Sequence, residues 1–392
     1  MNFTETPEQR MLRQAVAELA ARYGYQYFID KAKSGGKTTE LWEEAGRLGY
    51  LGVAVPEEYG GGGGGIYELA IVCEELAAGG CPLLLIVVSP AIAATVIAKV
   101  GTEDQKKRYL PGFADGSLKM SFAITEPDAG SNSHRLATVA RRDGTDWLLT
   151  GRKVFISGVD ETDATLVVAR LAESSTGRLR PALFVVPRDT PGLEYREIPM
   201  EVTSPEKQFQ VYLDEARLPA DALVGGEDAG LPALFAGLNP ERITIAAYAN
   251  GIARFALARG VAYARARQVW DVPIGQHQGI AHPLAQAKIA VELARLATQK
   301  AAWLYDQGER GADGVDDTAV GEAANIAKYA AAEAAIDAVD KAIQAHGGNG
   351  LTTEYGVGAL WSIVRAARIA PVSREMILNF VAQHTLGLGR SY

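Results

Sequence analysis

Three places in this 392-residue chain hold residues whose types and spacing could do chemistry. The first is Lys119–Gly158, which opens KMSFAITEPDAGSNSHRL and closes WLLTGRKVFISG. It holds two apolar, strand-like runs, Met120–Thr125 and Trp147–Ser157, with a turn-rich polar loop after the first. Such a stretch reads as a platform that could hold a ligand. Thr125 and Ser157 are its candidate polar contacts, and Phe122, Ile124 and Phe155 are either its apolar wall or ordinary strand core. The second place is GLNPERITIAA, where Glu241 and Arg242 follow Asn239 and Pro240 in what reads as a first helical turn. A carboxylate is favoured there by the helix dipole whether or not it acts as a base. The third is the pair Arg265 and Arg267 near the end of the same helix. A guanidinium fork suits a diphosphate, and it is equally at home at a solvated helix C-terminus.

Composition narrows the chemistry. The chain is 48% hydrophobic and 22% charged, with a formal net charge of −8 and a pI near 5.4. A general nucleic-acid binder would need a basic patch to neutralise phosphate, so no nucleic-acid partner is expected. Cys73 and Cys81 cannot build a disulfide framework and match a reducing compartment. No CxxC and no His/Cys cluster stands at metal-ligand spacing, so no metal site is expected. The N-terminus opens directly into a helix-like run with Glu5 and Glu8, which leaves no room for a signal or transit segment and predicts a cytoplasmic location. The longest apolar run, Cys81–Ile92, contains Ser89 and Pro90 and falls short of the roughly 18–20 residues that span a bilayer, so no membrane insertion is expected. Gly60–Gly65 lacks the Rossmann spacing after a strand and a downstream ribose acid; it reads as a plain loop and not as a phosphate cradle.

The elements that must position these residues fall into three parts. Residues 1–118 read as a helical domain, with helices over 6–30 (Thr6, Pro7 and Gln9 as cap, first position and capping box), Leu41–Leu48, Ile66–Ala78 and Ser89–Val100, and one capped by Thr102 with Gln105. Residues 119–224 carry six short strands: Met120–Thr125, Thr138–Arg141, Trp147–Ile156, Ala164–Ala169, Ala182–Val186 and Phe209–Leu213. With no helices between them, these predict an antiparallel barrel or sandwich. Residues 225–392 return to a 3.6 period. Asn239 and Pro240 start a helix that runs to about Arg267, a second spans His282–Gln307, and a third runs from Asp316 or Asp317 to Ala345, stopped by Gly347–Gly348. Two shorter helices, over 354–367 and 373–385, complete a predicted four-helix bundle. The fold class is α+β, mostly α.

Four stretches, in this order, resemble the acyl-CoA dehydrogenase family over nearly the full chain. They are AITEPDAGSN (Ala123–Asn132), GRKVFISG (Gly151–Gly158), RARQVWDVPIGQHQ (Arg265–Gln278) and QAHGGNGLTTEYG (Gln344–Gly356). The family usually has Asp where this chain has Asn132. The resemblance implies an FAD enzyme of fatty acid metabolism that converts an acyl-CoA thioester to the trans-2-enoyl-CoA, taking the α-proton with a base and the β-hydride on flavin N5. It also implies an electron-transfer flavoprotein as electron acceptor, and a homotetramer (or homodimer) in which each FAD lies across two subunits. By position, Phe122, Ile124 and Thr125 match residues that line the flavin, Phe155 an aromatic packed on its face, and Ser157 a hydroxyl near N5. Ser131 matches a contact to the CoA thioester end. Arg267 matches an arginine on the FAD pyrophosphate of a neighbouring subunit, with Trp270 and Gln278 in the same motif; Gln344, Gly347 and Gly348 match positions at the adenine half. A flavin oxidase or monooxygenase of the same fold acting on a non-CoA or carrier-bound substrate, or a non-catalytic flavin-binding member, is the alternative.

The base does not stand where many members carry it. In VRAARIAPVSREMILN, aligned on Arg365 and Arg368, Arg374 occupies the position of the usual glutamate. An arginine stays protonated and cannot take a proton at neutral pH. Glu375 is one residue along, turned about 100° around a helix. A second class of members carries the base on the first long bundle helix, immediately before an arginine; Glu241 matches that position, and Arg242 matches a contact to the CoA part. Met376 and Leu378 fall where further flavin contacts would be, and those contacts are not carried over.

Overall fold

The computed structural model describes residues 4–172, 179–227, 229 and 236–390. Helix α1 (Pro7–Ser34) starts with the expected capping box: Thr6 Oγ1 accepts from Gln9 N at 3.2 Å, and Thr6 N donates to Gln9 Oε1 at 3.0 Å. Helices α2 (Thr39–Arg47) and α3 (Ile66–Ala78) follow. The run expected as one helix from Ser89 is more divided: α4 (Leu84–Val88), a π turn (Ser89–Ala94) and α5 (Thr95–Val100). Pro90 sits inside the π turn; it has no N–H to give, and the helix widens around it. Helix α6 (Glu103–Asp115) carries the expected Thr102–Gln105 capping box.

The glycine run packs against the chain itself. A Cβ on Gly65 would fall 2.3 Å from the Asp306 carboxylate, which accepts from Ile66 N at 2.8 Å and Tyr67 N at 3.0 Å. The free N–H groups that open α3 are therefore satisfied by a carboxylate from a distant helix, not held open for phosphate.

The central region is a curled mixed sheet of β1 (Met120–Ala123), β2 (Val139–Asp143), β3 (Asp146–Ser157), β4 (Ala164–Ala172), β5 (Leu179–Pro187), β6 (Leu193–Ile198) and β7 (Gln208–Leu218). The strand order is β1-β4-β2-β3-β7-β6, with β5 on the other edge of β4. The expected all-antiparallel pairing needs correction. Strands β1 and β2 both run parallel to β4, in registers Met120↔Ala164 and Val139↔Arg170. The loop between them lets the chain resume in the same direction along the same edge, which a tight hairpin turn would forbid. The sequence reading missed β6, whose pattern LEYREI is almost wholly exposed at the edge of the sheet.

The C-terminal region holds α7 (Leu238–Ala266), the small hairpin β8 (Gln268–Val269) and β9 (Val272–Pro273), then α8 (Gln278–Glu309), α9 (Asp317–His346), α10 (Leu360–Ile369) and α11 (Arg374–Phe380). The expected four-helix bundle is built of three long helices, with the short α10 packed on α9 and α7. Buried alanines such as Ala256, Ala335, Ala338 and Ala342 let these helices approach closely. A single core runs from α3 (Leu69, Leu76) into α7 and α9 (Ile252, Ala335). Within it, Glu74 and Glu75 of α3 are met by Arg13, Arg254 and Arg295 from three other helices.

Candidate active site

Strand β3 shapes the platform. It pairs with β7 up to Lys153↔Val211, slips, and resumes at Ile156↔Phe209. In the slip, Val154 N turns to Thr125 O at 3.0 Å, and Phe155 takes a left-handed φ of 57°. That region is strained for a bulky residue, and such bulges often re-aim a side chain beside a site. The Phe155 ring is 57% exposed. Beside it, Lys153 Nζ donates to Ile124 O at 3.0 Å and Glu126 Oε1 at 2.9 Å, and Glu126 also accepts from Thr138 N at 3.0 Å. This buried pair fastens Ile124 and Thr125 to β3. Ser157 shares hydrogen bonds with the Gln208 side chain at 2.9 and 3.1 Å. Ile124, Thr125, Phe155 and Ser157 thus meet at one end of the sheet. The Phe122 ring instead packs in the core with Met120 and Leu166, which leaves its backbone as the available part. Ser131 is exposed on the loop that follows β1.

Glu241 lies in the first turn of α7, half-buried. Burial pushes its carboxyl up to about 7, against the pull of the charges on Arg242 and Lys328. Asn239 is not the cap: Gly237 precedes the helix, so Asn239 falls inside it and its Oδ1 accepts from Arg242 Nη1 at 3.1 Å. Burial also pulls the Arg242 guanidinium down, while Glu241 beside it acts in the other direction. Ile245 and Tyr248, both buried, follow Glu241 at four and seven residues and share its face of the helix. Glu375 is exposed in the first turn of α11. Arg374 is turned toward Glu333, with Nε 3.4 Å from Oε1, and its guanidinium lies 5.8 Å from the Tyr329 ring centre.

The third group gathers around a cavity of about 520 Å³ at the end of α7 and α9. Arg259, Tyr263, Arg267, His346, Asn349 and Tyr355 line it. Tyr263 stacks on His346 at 4.4 Å and meets Tyr355 edge-on at 5.5 Å. Gln344, Gly347 and Gly348 flank His346 and are exposed. Trp270 stands at the tip of the β8–β9 hairpin, 83% exposed, where Trp270 and Asp271 take left-handed φ values of 51° and 65°. Gln278, at the start of α8, is exposed, and His277 before it holds a buried Nε2 with no partner among the described residues. Two arginines and stacked rings suit a diphosphate joined to flat heterocycles. The residues present therefore fit FAD, split between a flavin end at the sheet and a distal end at the bundle.

Three family models match in sequence order: acyl-CoA dehydrogenase N-terminal domain over residues 6–117, middle domain over 121–213 and C-terminal domain over 228–386. The chain belongs to the acyl-CoA dehydrogenase family. Among curated relatives, acyl-CoA dehydrogenase FadE12 of Mycobacterium tuberculosis is 64% identical, with 100% of this chain and 99% of that protein covered. Among solved structures, glutaryl-CoA dehydrogenase of Mycobacterium smegmatis in complex with FADH2 matches with a TM-score of 0.89 at 28% identity, covering 99% of this chain and 97% of that one. A glutaryl-CoA dehydrogenase in complex with glutaryl-CoA matches with a TM-score of 0.92 at 27% identity, covering 100% and 98%. The chain is thus an oxidoreductase of the acyl-CoA dehydrogenase family, whose cofactor is FAD.

Several groups of this acyl-CoA dehydrogenase escaped sequence reasoning. Lys153 has no exposure, although it lies in the quoted GRKVFISG run; a lysine in step with the inward residues Trp147 and Leu149 was the available signal. Lys328 is 1% exposed within the stripe Ala324, Ala327, Ala331, where a lysine at a core position was again the signal. Glu206 is buried in the loop before β7, accepts from Leu84 N at 2.9 Å and Ser204 Oγ at 2.7 Å, and is pushed up to about 7 by burial and by Glu161. Nothing in its sequence neighbourhood marked it.

Proposed function

We propose that this acyl-CoA dehydrogenase oxidises an acyl-CoA thioester at Cα–Cβ with Glu241 as the base. The observation that carries the reading is Glu241 itself: a recessed carboxyl at the start of α7, raised by burial to about 7, in a chain whose usual glutamate position holds Arg374. A base with a pKa near the working pH is present in its active form and still strong enough to take an α-proton. FAD, when bound, supplies the hydride acceptor. The chain's own residues do the rest. Phe155 and Thr125 hold the flavin's plane, Ser157 sits at its polar edge, and Arg242 and Ser131 meet the CoA part. Arg267, Trp270, Gln278, Gln344, Gly347 and Gly348 hold the distal half.

The exposed Trp270 and the stripe Ile289, Leu293, Leu296 and Trp303 along one face of α8 support a second copy of the chain packed there, so that each FAD spans two subunits in a tetramer or dimer. No helix among the described residues is long and apolar enough to cross a membrane. A cytoplasmic enzyme that passes its electrons to an electron-transfer flavoprotein is the reading that follows from the family.

The test is an anaerobic panel of acyl-CoAs mixed with the yellow protein. Bleaching of the flavin is the expected result, with its rate rising as pH passes upward through about 7, where Glu241 loses its proton. Glu241→Gln should slow bleaching at least ~100-fold, the low end for a positioned base. Normal reduction of the Glu241→Gln protein would remove Glu241 from the mechanism, and oxygen consumption without a flavoprotein acceptor would make the enzyme an oxidase.

A further inference from the structure

Lys328 is a buried charge that the reaction as described does not use. It lies on α9 among Ala324, Ala327 and Ala331, and only 1% of it is exposed. Its Nζ donates to Arg368 O at 3.3 Å and to Val372 O. Arg368 O belongs to the last turn of α10, where carbonyls lack helical partners. Val372 precedes Ser373, whose Oγ accepts from Met376 N at 3.3 Å and caps α11. One ammonium therefore fastens α9 to the turn between α10 and α11. An ammonium has three N–H bonds, and the third has no acceptor among the described residues.

The charges facing Lys328 come from every helix around it. Glu241 and Arg242 lie on α7, Glu333 on α9 itself and Glu375 on α11. Glu333 is already held by Arg368, with Nε 2.7 Å from Oε1, and by Arg374. Glu375 is exposed. That leaves Glu241 as the recessed carboxyl near Lys328 that no ion pair claims among the described residues.

We propose that Lys328 is a positioning residue for proton abstraction: it pins the α10–α11 turn beside the base and sets a positive charge at a fixed place near Glu241. This rests on the reading of Glu241 as base. Burial pulls the Lys328 ammonium down to about 8, with Glu241 opposing, and burial pushes the Glu241 carboxyl up to about 7, with Arg242 and Lys328 opposing. Between those two values both groups are charged. Removing the lysine's charge must raise the Glu241 pKa, so the ionised base appears only at higher pH.

The experiment compares FAD-loaded wild type, Lys328→Gln, Lys328→Arg and Glu241→Gln. Two quantities are followed across pH: the rate of flavin bleaching by an acyl-CoA, and the protonated-carboxyl infrared band that Glu241→Gln abolishes. Glutamine can still donate to the two carbonyls but carries no charge; arginine keeps the charge. Lys328→Gln should move both the acid limb of the rate and the infrared titration upward by about one pH unit, lowering the rate near pH 7 about fivefold. Lys328→Arg should leave both close to wild type. Titrations of Lys328→Gln that coincide with wild type, or equal losses in the Gln and Arg variants, would overturn the proposal. If Lys328→Gln does not fold, Lys328→Arg decides, and an upward-shifted limb there overturns it. Normal bleaching by Glu241→Gln would instead fault the base assignment, which separates the two failures.

Discussion

A buried lysine is costly unless its charge is answered, and Lys153 is answered by Glu126 at 2.9 Å. Burial pulls the Lys153 ammonium down to about 8, with Glu126 working against it. Burial alone would raise Glu126, but Lys153 and the donors from Thr138 and Ala137 win, and its carboxyl sits below the usual range. In Glu126→Gln the lysine stands unpaired, and its folded-state pKa must fall further below the unfolded value. The unfolded chain then binds more protons than the folded one, so stability rises with pH. Thermal melts should show the deficit of Glu126→Gln against wild type largest near about pH 6 and much reduced near about pH 9. A deficit that does not change with pH would mean that the pair holds only by packing. At this scale the sequence was legible where a motif supplied position: Thr125, Phe155, Ser157 and Glu241 stand where the four stretches put them. It was not legible for Lys153, Lys328 and Glu206, because a charged residue in a core is recognisable only once the face it occupies is known.

The bulge in β3 is an element-scale device. Phe155 pays a backbone strain that a glycine would not, and its ring, 57% exposed, gains little packing in return. Phe155→Gly should therefore leave the flavin-free protein within about 1 kcal/mol of wild type, on the stabilised side, while FAD is lost more readily on dilution or gel filtration. A protein made markedly less stable, with flavin held as before, would assign Phe155 to the fold and not to the cofactor. The helices of this molecule were legible almost to the residue wherever caps spoke for them, as at Thr6, Thr102 and Asp316, which accepts from Ala319 N at 2.8 Å. The sheet was less so. Strand existence follows from alternation, but direction is decided by which edge the chain returns to, and the loop after β1 hides that choice. Strand β6 was invisible because an edge strand with LEYREI buries almost nothing.

At the scale of the whole molecule, the apolar stripe on α8 needs a cover. Leu293, 63% exposed, lies in the middle of Ile289, Leu296 and Trp303. Leu293→Glu should shift sedimentation toward a smaller species and lower FAD retention together, since Arg267 and Trp270 are then separated from the partner's flavin. An unchanged sedimentation coefficient would place the subunit contact elsewhere. The three-part division read from sequence describes the path of the chain, but the Arg13, Arg254 and Arg295 cluster on Glu74 and Glu75 crosses it. Those glutamates belong to the first part and two of their arginines to the last. A fragment that stops at residue 118 would keep both buried carboxylates and lose two of the three cations that answer them. The seam most visible in the sequence is thus the wrong place to cut: the first and last parts are one cooperative body, and the sheet is an insertion between its halves.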